Sequence, residues 1–197
     1  MGLDGCSRIQ IRDWRVTTLA PSPYWSLYVD GSCLGNQNVD EHTPAAWGLV
    51  VITGDTGLGK GSGELQHEQT GMVITSPTES GFIGAEVGSN NTAELSGFAA
   101  ALRWLLIEGG VEPAVIRADS TYAGNLASGL WNAKANRALV AHVQELWTEV
   151  AALRPLTWSH VKAHRGHRWN ERADHIALRC AQGELPEPLS FWKPGQR

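Results

Sequence analysis

Four acidic residues stand where acidic side chains are expensive to keep. Asp30 closes the β-rich run YWSLYVD on the side that it shares, by period two, with Tyr28 and Ser26. Glu94 lies in the first turn of a helical run and is followed at i+4 and i+8 by Phe98 and Leu102, so it points along the apolar stripe. Asp119 ends the apolar run PAVIRAD, and Asp174 borders the apolar side of the last helical run. A carboxylate aimed at an apolar face is costly unless it is paired, hydrogen-bonded or bound to metal. Several that converge repel one another until a cation neutralises them. An all-oxygen ligand set suits Mg2+, with Mn2+ as a substitute, better than zinc. Two such ions roughly 4 Å apart are a common device for in-line attack on a phosphodiester. Singly, each acid has a plainer reading, since Asp ends strands and Glu at a helix start favours the dipole. The conjunction points to a cation pocket.

A second concentration of reactive side chains is SHVKAHRGHRWNERADHIA, which carries His160, His164, His167 and His175 among Lys162, Arg165, Arg168 and Arg172. It reads as a zinc site, a basic patch, or one corner of an active site whose other corners lie elsewhere. Zinc is the weaker reading, because strand alternation and helix phase scatter His160 and His175 away from the loop.

The elements that must position these groups follow from periodicity. YWSLYVDGS reads as a strand that turns at Asp30-Gly31, and AAWGLVVITG as a second strand. The glycine-rich stretch 54–88 holds short β-like pieces, ELQHE, MVITS and GFIGAE, which read as hairpins. NNTAELSGFAAALRWLLIEGG predicts a helix stopped at Gly109-Gly110. A buried strand PAVIRAD follows, then a short helix entered through Ser120 or Thr121, a longer helix NRALVAHVQELWTEVAAL and a last strand LTWSHV. RWNERADHIALRCAQ closes the order as a helix with Trp169, Ala173, Ile176, Ala177 and Cys180 along one side. Strands first, then alternation of helix and strand, predict an α/β fold with a mixed sheet. Ligands collect beyond the carboxyl ends of strands in such sheets, where Asp30 and Asp119 fall.

Composition narrows the classes. A chain of 197 residues with 42% hydrophobic and 18% charged residues fits one domain, and no apolar run approaches a membrane span. Residues 1–23, ending at prolines 21 and 23, read as an arm, 24–185 as the catalytic domain and 186–197 as a tail. A net charge of −4 gives no global pull toward nucleic acid, so polyanion binding must rest on local clusters. Cys6, Cys33 and Cys180 form neither a disulfide framework nor a thiolate metal site, and no targeting segment is read at the N-terminus. A cytoplasmic monomer is expected. GDTGLGKG at 54–61 nearly spells a phosphate loop, but Gly61 stands where a Ser or Thr is needed and no helix pattern follows, so it reads as a turn. Of nine tryptophans, Trp104, Trp147 and Trp158 read as core, and Trp131 and Trp169 as exposed.

Taken together, YVDGSCLGN, NNTAELSGFAAAL, ADSTYA and VKAHRGHRWNERAD closely resemble, in order, the four motifs of type 1 ribonuclease H, over about Tyr24 to Gln182. The resemblance implies a ribonuclease H-like fold, a mixed five-stranded sheet with helices on both faces, here with an extra hairpin insertion. It implies an endonuclease that hydrolyses the RNA strand of RNA/DNA hybrids with two Mg2+ ions. By matching position, Asp30, Glu94, Asp119 and Asp174 are the metal-binding catalytic carboxylates. His164 matches the histidine implicated in proton transfer or product departure, and Asn170 a polar residue beside it. Cys33, Asn36, Asn90, Asn91 and Thr121 match or neighbour positions that touch the hybrid's minor groove, whose 2′-hydroxyls short polar side chains read without sequence preference.

Two departures stand out. Only seventeen positions separate Asp119 from Asn136, which leaves no room for the lysine-rich helical protrusion of several bacterial members, with Trp131, Lys134 and Arg137 as its remnant. Conversely, the interval from Asp30 to Glu94 is long, with insertions near 37–45 and 54–80. The resemblance therefore leaves two other readings open: a hybrid-binding module without turnover, and a related nuclease acting on another nucleic acid.

Overall fold

The computed structural model describes residues 24–162 and 165–195. The arm 1–23 and His164 lie outside the described residues. Five strands form one sheet in the order β3-β2-β1-β4-β5: β1 (Trp25–Cys33), β2 (Ala45–Thr53), β3 (Glu64–Met72), β4 (Ala114–Ala118) and β5 (Leu156–His160). β1 to β3 form an antiparallel meander, while β4 and β5 run parallel to β1. The helices are α1 (Asn90–Ile107), α2 (Thr121–Ala127), α3 (Arg137–Leu153) and α4 (Arg168–Ala181).

The sheet has a core on each face. Leu27, Val29, Leu49 and Val51 alternate onto the face covered by α1, whose Leu95, Phe98 and Leu102 meet Leu139 and Val143 of α3. The intervening Tyr28, Val50 and Ile52 turn to the other face and meet Trp169, Ala173 and Ile176 of α4. Helices on both faces of a mixed five-stranded sheet are thus as expected.

Local propensity misleads in three places. The turn expected at Asp30-Gly31 does not form: β1 runs on to Cys33, which pairs with Ala45, because β2 supplies ladder partners through that point. Within 54–88 only Glu64–Met72 is a strand, the third of the sheet, and the expected hairpins at MVITS and GFIGAE are irregular. No strand beyond these five forms among the described residues, so the expected extra hairpin is not found, and loop 54–63 simply joins β2 to β3. Trp169 is 2% exposed rather than solvent-facing, and its indole N–H donates to the carbonyl of Ser62 at 2.6 Å. Trp131 is exposed as expected, and Trp104, Trp147 and Trp158 pack against the main core. No helix among the described residues is long and apolar enough to cross a membrane.

Candidate active site

Three elements deliver the acids to one point. In β1, Asp30 is 7% exposed and its Oδ1 accepts the Gly31 N–H at 2.7 Å. β1 and β4 run in register from Trp25↔Ala114 to Tyr28↔Arg117, and continuing that register sets Asp119, the residue after β4, beside Asp30. Glu94 arrives from α1, which starts at Ser89 with a reciprocal cap: Ser89 Oγ accepts from Thr92 N–H and Thr92 Oγ1 accepts from Ser89 N–H. α1 can lie this close only because Gly31 has no side chain, since a Cβ there would stand 2.5 Å from the Glu94 nitrogen.

One carboxylate oxygen from each of Asp30, Glu94 and Asp119 lies within 4.8 Å of the other two. Glu94 is 8% exposed, and its Oε2 is buried with no hydrogen-bond partner among the described residues. Burial, then the charges of Asp30, Asp119 and Asp174, hold its carboxyl well above the usual range. Asp174, in α4 on the opposite face of the sheet, stands outside the 4.8 Å set, yet its charge reaches Glu94. Three convergent carboxylates with one orphaned oxygen fit a hard divalent cation: all the donors are oxygen, and no hydrogen bond among the described residues satisfies Glu94 Oε2.

A polar margin surrounds the acids. The Asn90 N–H donates to Asn36 Oδ1 at 3.2 Å and the Cys33 thiol to the Gly88 carbonyl at 3.6 Å, so the loop after β1 and the start of α1 form one surface with Asn90 and Asn91 exposed on it. Thr121 is exposed in the first turn of α2, directly beyond Asp119 and the Ser120 cap. Asn170 differs from these, being 3% exposed in the first turn of α4.

Among the described residues the histidines form no metal site. His160 is exposed at the end of β5, His167 stacks on Tyr28 at 4.9 Å, and His175 Nε2 accepts the Glu187 N–H at 3.0 Å. Among the described residues the acids alone form a metal-ligating group, which removes the zinc reading for them.

The ribonuclease H family model, RNase H, matches residues 23–182. The chain belongs to the ribonuclease H family. It is 31% identical over 179 residues to Ribonuclease H of Aeromonas salmonicida, covering 84% of this chain and 95% of that one. Among solved structures, RNase H1 of the halophilic archaeon Halobacterium salinarum shares the fold at a TM-score of 0.57 and 22% identity, over 81% of this chain and 98% of that one. LC11-RNase H1, isolated from compost and solved in complex with an RNA/DNA hybrid, has a TM-score of 0.57 at 19% identity, over 81% and 97% of the two chains. Identities this low carry the fold and no more.

Against that family background, several residues escaped the sequence analysis. Asp55, at 2% exposure, is a buried acid within GDTGLGKG, where only the phosphate-loop pattern drew notice. Arg117 and Arg172 are buried too, the first beside Asp55 and the second bonded to Glu68. Asp55 has one sequence signal, an acid between two strands, but its partners outside its own loop, Tyr28 and Arg117, lie 27 or more positions away.

Proposed function

We propose that this ribonuclease H is a metal-dependent endonuclease that cuts the RNA strand of RNA/DNA hybrids, through a domain spanning residues 24–185 and acting as a monomer. The observation that carries the reading is the convergence of Asp30, Glu94 and Asp119 within 4.8 Å around a carboxyl that cannot ionise at ease without a cation. The hybrid bound by LC11-RNase H1, a protein of the same fold, supports the substrate class.

Two Mg2+ ions, replaceable by Mn2+, are the expected cations. Asp30 would serve both, Glu94 and Asp119 one, and Asp174 the other, as the family pattern implies. Bound there, the cations supply an acidified water and positive charge at the departing oxygen. The chain's own part is to hold four carboxylates in place before substrate arrives, so that no reorganisation falls on the chemical step. A water oxygen attacks phosphorus as the bond to the 3′ oxygen breaks, leaving 5′-phosphate and 3′-hydroxyl ends, with His164 assisting the proton transfer or the departure of product. Cys33, Asn36, Asn90, Asn91 and Thr121 face the minor groove, where contact with 2′-hydroxyls separates RNA from DNA. Asn170, which the family pattern sets beside His164, would contact the substrate.

The connection from α2 to α3 is short, with Leu130 and Trp131 exposed and a depression of about 590 Å3 between them, Tyr122 and Lys134. This leaves grip on the DNA strand to a small apolar surface with one lysine. The test is cleavage of labelled hybrid, duplex RNA and duplex DNA with and without Mg2+, for the wild type and Asp30→Asn. Cutting of the hybrid alone, dependent on the ion and lost in the variant, is expected. A gel shift without cutting would mean a binding module, and preferential cutting of duplex RNA a different nuclease.

A further inference from the structure

The glycine-rich loop 54–63 has no part in the mechanism above, yet it holds the Asp55 carboxylate, more deeply buried than the metal-site acids Asp30 and Glu94. Oδ1 accepts the Ser62 N–H at 3.0 Å and its hydroxyl at 3.1 Å, while Oδ2 accepts the Gly57 N–H at 3.1 Å and the Tyr28 hydroxyl. Arg117 Nε stands 3.9 Å from Oδ2, so the buried charge has a counter-charge. Gly57 lies directly on that guanidinium: a Cβ there would be 2.1 Å from Arg117 Nη1.

Tyr28 passes this arrangement on. A phenol has one hydrogen, and the carboxylate takes it. The phenol oxygen therefore presents only lone pairs to His167 Nε2, 3.2 Å away, so Nε2 carries the hydrogen and, in the neutral ring, Nδ1 does not. That fixes one tautomer of His167, whose Nδ1 is buried without a partner among the described residues. His167 is the N-cap residue of α4, the helix that carries Asn170 and Asp174.

The same loop grips the start of α4 three more times. The Arg168 N–H donates to the Lys60 carbonyl at 2.8 Å, the Trp169 indole to the Ser62 carbonyl, and Lys60 Nζ to the Arg165 carbonyl at 3.1 Å. The body of α4 is held independently, since a Cβ at Gly48 of β2 would stand 2.3 Å from the Ala173 carbonyl. The first turn and the residues leading into it are thus secured by one loop, and the rest of the helix by the sheet.

We propose that Asp55, through Tyr28 and His167, is a positioning residue of the active site: loop 54–63 braces the first turn of α4 and so sets Asn170, the site residue which that turn carries. The proposal rests on the nuclease reading for its kinetic consequence, but its structural content can be read without cleavage.

Asp55→Asn keeps shape and places an N–H donor in the carboxylate; Tyr28→Phe keeps the ring stack and removes one oxygen. Both are examined well below their melting temperatures. Hybrid cleavage should fall about tenfold or more in kcat, because misplacement of a catalytic group is costly. KM should stay within about twofold, since the groove-facing residues are untouched. Hydrogen exchange of the amides of 168–171 should quicken about tenfold while the sheet stays protected. Imidazole nitrogen shifts of labelled protein should show His167 losing its single Nε2–H tautomer.

Folded variants with wild-type kcat, exchange and tautomer would overturn the brace. A loss of stability with unchanged kcat and tautomer would also overturn it, reducing Asp55 to a fold residue. If the wild type itself cuts no hybrid, the nuclease reading falls, and the exchange and nitrogen-shift readings still decide the brace. Should Asp55→Asn fail to fold, Tyr28→Phe decides by the same measurements.

Discussion

A Cβ at Gly31 would stand 2.5 Å from the backbone nitrogen of Glu94 and 2.8 Å from the Cβ of Ala93, so β1 and α1 meet backbone to backbone beside the acids. Neither contact is with the end of a flexible side chain, so any larger residue must push the helix away. Gly31→Ala is expected to destabilise the protein by about 1–3 kcal/mol, the usual cost of overpacking. Cleavage should fall about a hundredfold, since a displacement of roughly 1 Å at a catalytic group costs that much. A urea melt and a cleavage assay on the same preparation check it; wild-type activity in the variant would mean that the approach of α1 is not what assembles the site.

Glu94 makes the metal-free protein unhappy at neutral pH. Its carboxyl titrates above the ordinary 4.5 because of burial and then the neighbouring acids, so between 4.5 and that raised value the folded state binds more protons than the unfolded state. The corresponding stability is present below 4.5 and is lost as pH rises through the raised folded value. Glu94→Gln should therefore be more stable than wild type in chelator at pH 7.5, by about 1–3 kcal/mol, the scale of an unsatisfied buried group. The difference should shrink at pH 4 and on adding Mg2+ to the wild type. Equal melts at pH 7.5 would show that the acids do not repel one another.

His167 and His175 pull the other way. Burial first, then neighbouring arginines (Arg117 for His167, Arg172 and Arg179 for His175), lower both from 6.5, despite opposing carboxylates. A depressed folded value means that the unfolded state binds the extra proton, so this stability is present above 6.5 and is lost as pH falls through the depressed values. Urea melts in Mg2+, where the Glu94 effect is suppressed, should show stability falling from pH 7 to pH 5, and His167→Gln should reduce the slope. A flat profile would contradict the burial of these rings.

Arg172 is 1% exposed and bonds Glu68 through Nε at 2.9 Å and Nη2 at 2.7 Å, the Glu187 carbonyl through Nη1 at 2.7 Å, and lies over Trp192 at 5.4 Å. It ties edge strand β3, helix α4 and the C-terminal segment together. Glu68→Gln leaves that guanidinium buried with no counter-charge, and is expected to cost about 3 kcal/mol. Arg172→Leu should release Trp192 to solvent, seen as a red shift of its emission. Unchanged stability in Glu68→Gln would show that water reaches Arg172 freely.

Much of the site was legible in the letters because it obeys local periodicity. Glu94 betrayed itself by lying on the Phe98 and Leu102 stripe, and Asp119 by closing a fully buried strand; both need only the 3.6 and 2.0 repeats of neighbouring residues. Asp30 was legible as an acid, but not as a residue inside a strand, since the continuation of β1 to Cys33 depends on β2, twelve or more positions on. GFIGAE had β character and no ladder partner, so it stayed irregular, while Trp169 and Asp55 were buried by each other's neighbourhoods from opposite ends of the domain. By itself the sequence determined which residues are helical, which face of each element is apolar and which acids oppose that face, all of it chemistry among residues a few positions apart. The tertiary structure alone decided which acids share a pocket and how the start of α4 is held. Those are matters of close approach between distant segments, set by glycines 31 and 48 and by a loop whose local letters carry no trace of the partners it meets.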